Sequence, residues 1–329
     1  MKRFLLVLAL LAGSAAAGFS VEPAGSQGAN SGRTSVYTFF VNVVFEPFRF
    51  PLVGLVNIAV GNHGPIQLGL VNMNTGNFAG AQTALVNIAG GNFSGAQVGL
   101  TNISAGNTGG AQIGLTNASR GEIAGAQIGL TNVAMRGGQA WQIGLVNVSA
   151  RALRGTQIGL VNFVDSIEGG IPIGLVSIVR TGGFRAVEYV FTEFHPVGVG
   201  LKLGVERFYT TISVAYAPSG DGFRESFAVG FGIGTIIPVG TSFFFNPELT
   251  SFAWNFHREG QPRQLLSFVP FAGFNINRHF SVIAGPSVTW SHVNDSGALA
   301  EPVFSIWSRD INDRNAIVVG ARAGARFRF

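Results

Sequence analysis

The sequence predicts an all-β protein in which a β-solenoid of fifteen-residue coils joins a small antiparallel β-barrel of about eight strands. Three observations support this fold class: a strict repeat in the first half, alternating residue character in the second half, and little charge. Only 11% of the 329 residues are charged, whereas soluble domains average about 25%. Because the chain contains no cysteine, hydrogen bonds and packing must hold the fold together.

Residues 1–17 have the composition of a secretory signal peptide. Lys2 and Arg3 precede an apolar run, and three alanines at its end supply a small-residue cleavage site. The apolar run is too short to cross a membrane as a helix. We therefore expect an exported protein in which residues 18–35 form a linker behind the cleavage site.

Residues 51–182 repeat with a period of fifteen, as the recurring box AQIGLTN illustrates. Asparagine and glutamine each recur at intervals of fifteen residues without interruption. Stacked coils would place like amides above one another, where they can form hydrogen-bonded ladders. The predicted ladder residues are Asn57, Asn72, Asn87, Asn102, Asn117, Asn132, Asn147 and Asn162, together with Gln67, Gln82, Gln97, Gln112, Gln127, Gln142 and Gln157.

A finer period of five lies inside the repeat, with an apolar residue at most fifth positions from Val53 to Ile178. This period fits neither a helix nor a plain strand. It fits a chain that turns a corner after every pentad, with glycines at the corners. The pattern predicts three-sided coils in which one apolar residue per side points inward.

The repeat resembles the pentapeptide-repeat proteins over about residues 51–180, since it shares their pattern of a small residue, Asn and an apolar residue. That family winds four pentads into each coil, whereas the register here locks to three. The chain is also similar to spirochaete surface repeat-containing proteins, which carry GxQxGLxN boxes after a signal peptide. The second resemblance implies a location more than a mechanism.

Residues 186–329 alternate between an apolar face and a small or charged face, which is typical of transmembrane β-barrels. In the last segment, aliphatic and aromatic residues share one face and three arginines share the other. The ending, Phe327 and Phe329 on one face, resembles the assembly signal of bacterial outer-membrane proteins. This resemblance implies an outer-membrane location, with membrane lipid and the barrel-assembly machinery as partners.

Seven barrel strands are predicted, and their connections alternate between short and long. The strands are 197–206, 208–217, 224–237, 241–254, 264–276, 279–291 and 316–329. An even number needs one more strand, which either residues 36–47 or residues 186–193 could supply. Residues 36–47 are favoured because one of their faces is more apolar. If they form the first strand, the solenoid is a large insertion on the outer side of the membrane. The later segment would leave the solenoid in the periplasm, and the unused segment would cap it.

Several ionisable residues should point into the barrel lumen. They are Lys202, Glu206, Arg322, Arg326 and Arg328. Because an eight-stranded barrel is just wide enough for side chains to fill it, these charges predict a buried ion network. The alternative interpretation is a binding site for an anionic group.

Two Ser/His groupings are candidates for catalysis. His279 and Ser281 have an H-x-S spacing similar to that of outer-membrane lipid deacylases, and Ser291 and His292 precede an aspartate. The first has no acid placed beside it, and such pairs are common. The sequence therefore predicts no enzyme, no metal site and no cofactor, and the net charge of +5 does not indicate nucleic-acid binding.

Together these observations predict an outer-membrane protein whose barrel anchors a solenoid with a structural or adhesive binding role, towards a surface ligand or a periplasmic partner. One alternative is a larger barrel, a porin or transport channel, in which the repeats are strands. Another is a barrel enzyme acting on lipid. The sequence leaves the oligomeric state open, although a leucine column could pair two solenoids: Leu100, Leu115, Leu130 and Leu145.

Overall fold

The computed structural model describes residues 35–46, 49–218, 226–254, 263–293 and 302–329. The predicted signal peptide and nearly all of the linker lie outside these ranges. Within them, no helix has the length and apolar character needed to cross a membrane. The chain divides into two compact units, Met1–Arg136 and Gly137–Phe329.

The first unit is a stack of fifteen-residue coils whose strands form two parallel sheets. Its strands are β1 (Val41–Phe45), β2 (Leu52–Val53), β3 (Val56–Val60), β4 (Ile66–Leu68), β5 (Val71–Asn74), β6 (Phe78–Thr83), β7 (Val86–Ala89), β8 (Phe93–Val98), β9 (Thr101–Ser104), β10 (Thr108–Ile113), β11 (Thr116–Ser119), β12 (Ile123–Ile128) and β13 (Thr131–Ala134). Odd-numbered strands form the first sheet and even-numbered strands form the second. Neighbours are offset by fifteen residues, so Asn117 lies opposite Asn102 and Gln112 lies opposite Gln97.

The second unit begins with coils of the same kind and continues into an antiparallel barrel. The coil strands are β14 (Gly138–Ile143), β15 (Val146–Ser149), β16 (Leu153–Arg154), β17 (Gln157–Ile158), β18 (Val161–Val164), β19 (Ile167–Glu168), β20 (Pro172–Ile173) and β21 (Val176–Val179). The barrel strands are β22 (Phe184–Phe191), β23 (Val197–Val205), β24 (Phe208–Ala217), β25 (Ser226–Gly234), β26 (Ile237–Val239), β27 (Phe243–Trp254), β28 (Arg263–Asn275), β29 (Phe280–Val293), β30 (Trp307–Asn312) and β31 (Asn315–Arg328).

Eight of these strands close the barrel, because β22 pairs with both β23 and β31. The circuit runs through β22, β23, β24, β25, β27, β28, β29 and β31. The short β26 pairs with β27, and β30 pairs with the part of β31 that β22 does not reach. Strand β30 lies inside a segment that the sequence assigned to a long connection. The predicted fold class, a β-solenoid with a closed eight-stranded antiparallel barrel, is confirmed.

Two sequence-based alternatives are wrong. The repeats are not strands of a larger barrel, because they pair in parallel at a step of fifteen residues whereas barrel strands here pair antiparallel. Residues 36–47 do not supply the eighth barrel strand either. Strand β1 pairs in parallel with β3, and Asn42 Nδ2 donates to Asn57 Oδ1 at 2.7 Å. Asn42 lies fifteen residues before Asn57, a register that the apolar alternation around it obscured.

On two of the three sides of each coil, the apolar residue of the pentad points outward, whereas the prediction had it pointing inward. Only the third side turns its apolar residue inward, where Phe78, Phe93 and Ile123 are each 1% exposed. On the other two sides the amides point inward. Ile113, which follows Gln112, remains 42% exposed, and Ile103, which follows Asn102, is partly exposed. Adjacent strand residues face opposite ways. Because the amides bond to one another inside, their burial leaves few polar groups unsatisfied.

Four consecutive coils carry a glycine with positive φ at the same place in the second sheet: Gly80, Gly95, Gly110 and Gly125. Gly110 has φ +116°, and a Cβ there would lie 2.1 Å from the carbonyl oxygen of Gly95. L-residues rarely adopt such a backbone conformation. The predicted corner glycines do not share this conformation, since Gly114 has no left-handed φ. Accordingly, Ala84 can occupy the equivalent corner position.

Replacing Gly110 with valine is expected to lower the free energy of unfolding by about 2–4 kcal/mol, because the strained backbone and the close oxygen act together. Gly109→Ala is the matched control, since its Cβ would meet no atom closer than 3.8 Å. That change should stay within about 1 kcal/mol of wild type. Urea unfolding of the two variants measures the difference, and equal stabilities would contradict the backbone geometry.

Candidate functional site

The asparagine ladder runs through the interior of the coils. Each Asn Nδ2 donates to the Asn Oδ1 of the following coil, at 2.8–3.0 Å for the five steps from Asn57 to Asn132. In the second unit Asn147 donates to Asn162 at 2.9 Å, and Asn162 donates to Ser177 Oγ at 3.2 Å. All fifteen predicted ladder residues are 0% exposed.

The second amide proton of each asparagine is donated to a backbone carbonyl oxygen at a corner of the next coil. Asn102 Nδ2 also donates to the carbonyl oxygen of Ile113 at 2.9 Å, and Asn117 repeats this contact with Ile128 at 2.9 Å. Each carbonyl immediately precedes a corner glycine. Both amide protons and the carbonyl oxygen of each such asparagine side chain therefore take part in hydrogen bonds that hold the coils together.

The glutamine ladder runs in the opposite direction. Gln112 Nε2 donates back to Gln97 Oε1 at 2.7 Å, and Gln127 donates back to Gln112 at 2.8 Å. Gln157 does the same to Gln142 at 2.7 Å in the second unit. Because the asparagines donate forward and the glutamines backward, the dipoles of the two ladders oppose each other. With their polar atoms engaged in this way, the ladders form a scaffold rather than a site for chemistry.

The barrel lumen contains a charge-balanced cluster at the short-turn end. Arg326 Nε donates to Glu188 Oε2 at 2.7 Å, while Lys202 Nζ lies 2.5 Å from Glu248 Oε1 and 3.1 Å from Glu188 Oε1. Tyr209 also donates to Glu248. All five side chains are buried. Two cations facing two carboxylates leave this part of the lumen without net charge.

Of the predicted lumen residues, Lys202, Arg322 and Arg326 are buried inside the barrel, whereas Glu206 is not. Glu206 follows the end of β23, where its side chain is 48% exposed and pairs with Arg328 at 2.9 Å. The prediction for Glu206 was wrong because the strand ends one residue earlier than its alternation suggests. Arg328 lies with it at the barrel rim, 21% exposed.

The long-loop end of the lumen is closed by residues 192–195, which we call the inner loop. All four side chains of the inner loop are buried. Glu193 accepts two bonds from Arg322, at 2.8 and 2.9 Å, and Arg322 also donates to Ser267 at 2.7 Å. The cavity between this group and the first cluster measures only ≈ 20 Å³, which is room for about one water.

Sequence reasoning missed the acidic partners of the lumen cations: Glu188, Glu193 and Glu248. Glu188 and Glu248 share the parity of the inward residues of their strands, which was the available signal, whereas Glu193 lies in the inner loop, where parity gives no signal. Pairing could not be read from the sequence, because Arg326 and Glu188 are 138 residues apart.

The inner loop is expected to loosen in acid. Burial and the neighbouring Arg322 lower the pKa of His195 to about 4. Burial alone would raise the pKa of Glu193, but the hydrogen bonds and charge of Arg322 hold it below its ordinary value. Both folded-state pKa values lie below the unfolded ones. The stability they contribute is therefore full near neutral pH and lost as pH falls, from about 6.5 towards 4 for His195.

Hydrogen exchange of residues 192–195 measures this effect. Local opening should become easier by up to about 3 kcal/mol between pH 7 and pH 4. His195→Phe should reduce that dependence, since it removes the group that titrates over most of this range. A wild-type protection factor that is flat over the same range, after correction for intrinsic exchange, would contradict this account.

The histidine side chains of the two Ser/His groupings contact other residues rather than the serines of their own grouping. His279 Nδ1 contacts the carbonyl oxygen of Arg328 at 3.0 Å, and Ser281 donates to Asn275 at 2.8 Å. His292 Nδ1 contacts Asn315 Oδ1 at 2.9 Å. Ser291 and His292 are adjacent in β29, so their side chains project from opposite faces of the strand. Neither grouping has the geometry of a nucleophile and its base.

The last coil packs against the short-turn end of the barrel. Strand β21 lies against β23, β20 lies against β24, and Thr210 Oγ1 donates to the carbonyl oxygen of Leu175 at 3.2 Å. A cavity of ≈ 380 Å³ remains beside this contact. It is lined by Arg185, Arg207 and Arg328, among others. This contact puts the last coil at the end of the barrel that carries the short turns.

Among the residues that the structure describes, no three His, Asp or Glu side chains group as metal ligands do. No protein-family model matches the chain, and neither a curated protein nor a solved structure matches it.

Proposed function

We propose that this chain is an outer-membrane protein in which the barrel is an anchor and the solenoid is a rigid structural or binding element. The observation that carries the proposal is the combination of an apolar outer barrel face with a filled lumen. On β23, Val197, Val199 and Leu201 are 37–41% exposed while the residues between them are buried. Such an apolar belt is favourable in lipid and unfavourable in water.

The filled lumen argues for an anchor rather than a pore. Ion pairs occupy both halves of the lumen, and the inner loop covers the long-loop end. A conducting eight-stranded barrel would need a continuous water-filled path. The remaining space of ≈ 20 Å³ between the clusters is far too small to form one.

The contact of the last coil favours the periplasmic side for the solenoid. In outer-membrane barrels the short turns face the periplasm and the long loops face outward. The chain enters β22 at the short-turn end, so everything before β22 would be periplasmic. A periplasmic partner, such as peptidoglycan or another protein, then fits better than the surface ligand that the sequence favoured.

Fractionation of cells expressing the full chain tests the anchor role. The protein should remain in the outer-membrane fraction after alkaline extraction and should migrate faster on gels when unheated, as folded barrels do. Purified protein in planar bilayers should give no steady conductance. Release into the soluble periplasmic fraction would overturn the membrane location, and steady conductance would overturn the anchor role in favour of a channel.

A further inference from the structure

The first unit carries an apolar outward face along the corner between its two sheets, which we call the leucine face. It consists of three rows with one residue per coil: Val53, Leu68, Thr83, Val98, Ile113 and Ile128; Leu55, Leu70, Leu85, Leu100, Leu115 and Leu130; Val56, Val71, Val86, Thr101, Thr116 and Thr131. The six leucines are 41–50% exposed. Fourteen of the eighteen positions are aliphatic and four are threonine, and none is charged.

Charged residues of these coils lie at other places. Arg120 and Glu122 stand in the turn that follows β11, on the far side of the first sheet from the leucine corner, and Arg136 follows β13. The three rows of the leucine face therefore contain no charge, and these charged residues lie in the turns beyond the first sheet. Strips of this size on a protein surface usually mark an interaction site.

We infer that two copies of this chain pair through their leucine faces. Consecutive leucines are one strand spacing apart, about 4.8 Å. A second copy presents the same spacing, so its side chains can interdigitate along the whole face, as identical rows do in paired sheets. A two-fold axis would make this contact self-complementary and closed.

The dimensions of the leucine face suit a dimer. Six coils at about 4.8 Å per step give a strip roughly 25–30 Å long, and three residue positions with their side chains give a width of roughly 20 Å. The strip therefore offers on the order of 600 Å² per partner, which approaches the roughly 800 Å² of a standard interface.

The composition favours a second copy over a lipid surface. Segments that lie on membranes place Trp or Tyr and a rim of Lys or Arg at the lipid boundary. The eighteen positions contain none of these residues. The inference deepens the proposed binding role and rests on it, because it names the partner of the solenoid.

Cysteine crosslinking tests the pairing directly, since the chain has no native cysteine. Single substitutions Leu85→Cys, Leu100→Cys, Leu115→Cys and Leu130→Cys are oxidised mildly in membranes from expressing cells. At least one position near the two-fold axis should give a disulfide-linked dimer as the main product. Ser94→Cys, exposed on the second sheet, is the control and should remain monomeric.

A charge variant gives a second, independent readout on the purified full chain. Leu100→Asp would place like charges in the interface and should raise the dimer dissociation constant at least about 30-fold in sedimentation experiments. Ser94→Asp adds the same charge on another face and should leave the dissociation constant unchanged. The heat-dependent gel shift of both variants checks that the barrel is folded.

Three results would overturn the pairing. They are monomers at all four leucine positions, equal crosslinking at Ser94, and strong broadening of the signal of a probe at Leu100 when spin-labelled lipid is present. The last result would identify lipid as the occupant. Failure of the pairing is distinguishable from failure of the anchor role, because fractionation and conductance do not depend on the leucine face.

Discussion

Replacing Asn102 with leucine is expected to lower the free energy of unfolding by about 2–6 kcal/mol. The change removes the acceptor of Asn87 Nδ2, at 2.9 Å, and the donor to Asn117 Oδ1, at 2.8 Å. Both groups are buried and would be left unsatisfied, and each such group costs about 1–3 kcal/mol. Ile113 O would lose the same side-chain donor but keeps the backbone N–H of Gly99.

Asn92 provides the matched control, because it belongs to a second asparagine row at the same fifteen-residue spacing. Its Oδ1 accepts the backbone N–H of Asn107 at 2.9 Å, but it is exposed and water can replace it. Asn92→Ala should therefore cost at most about 1 kcal/mol. Urea unfolding of the purified variants measures both values. Similar losses for the two variants would mean that the buried ladder is no stronger than the exposed row.

Removal of Arg326 is expected to destabilise the barrel by about 3–5 kcal/mol. Arg326 is 0% exposed and bonds to Glu188 and to Asn246. Phe184 and Phe244 lie against its guanidinium, with ring centroids 5.7 and 5.5 Å away. In Arg326→Met the aliphatic stem is largely kept, but Lys202 is left facing two buried carboxylates, so one negative charge is uncompensated.

The double variant Arg326→Met/Glu188→Gln separates the effect of charge balance on stability from the effect of side-chain shape. Neutralising Glu188 restores the balance between Lys202 and Glu248, so the double variant should recover a substantial part of the lost stability. The temperature at which the barrel loses its fast gel migration measures each variant. Arg278→Met, in an exposed turn, should change it little. A double variant less stable than Arg326→Met would contradict a charge-based account of the lumen.

The period of the repeat was enough to predict the solenoid and the order of its amides, because every parallel neighbour must lie fifteen residues away. The direction of the side chains was not predicted correctly. One apolar residue per side was expected to point inward, whereas on two sides the paired ladders occupy the interior and satisfy Asn102 and Gln112 there. The exposed rows that result are the basis of the leucine face.

Alternation predicted the barrel strands well but not the closing strand or the contents of the lumen. The segment around Asn42 and β22 both alternate, and only the fifteen-residue step to Asn57 distinguishes them. In a barrel, inward residues meet across the lumen, so Lys202 of β23 reaches Glu248 of β27 from 46 positions away. Local patterns cannot encode such pairs, although they show which residues face inward.

Labelling of single cysteines in intact cells tests the central claim, that the barrel spans the outer membrane and holds the solenoid on its periplasmic side. The positions are Arg120 in the coils, Arg278 in a short turn and Ile311 in β30, on the long-loop side. A membrane-impermeant maleimide should label Ile311→Cys in intact cells. Arg120→Cys and Arg278→Cys should react only after the outer membrane is broken. Labelling of Arg120→Cys in intact cells would contradict the account and place the solenoid on the cell surface.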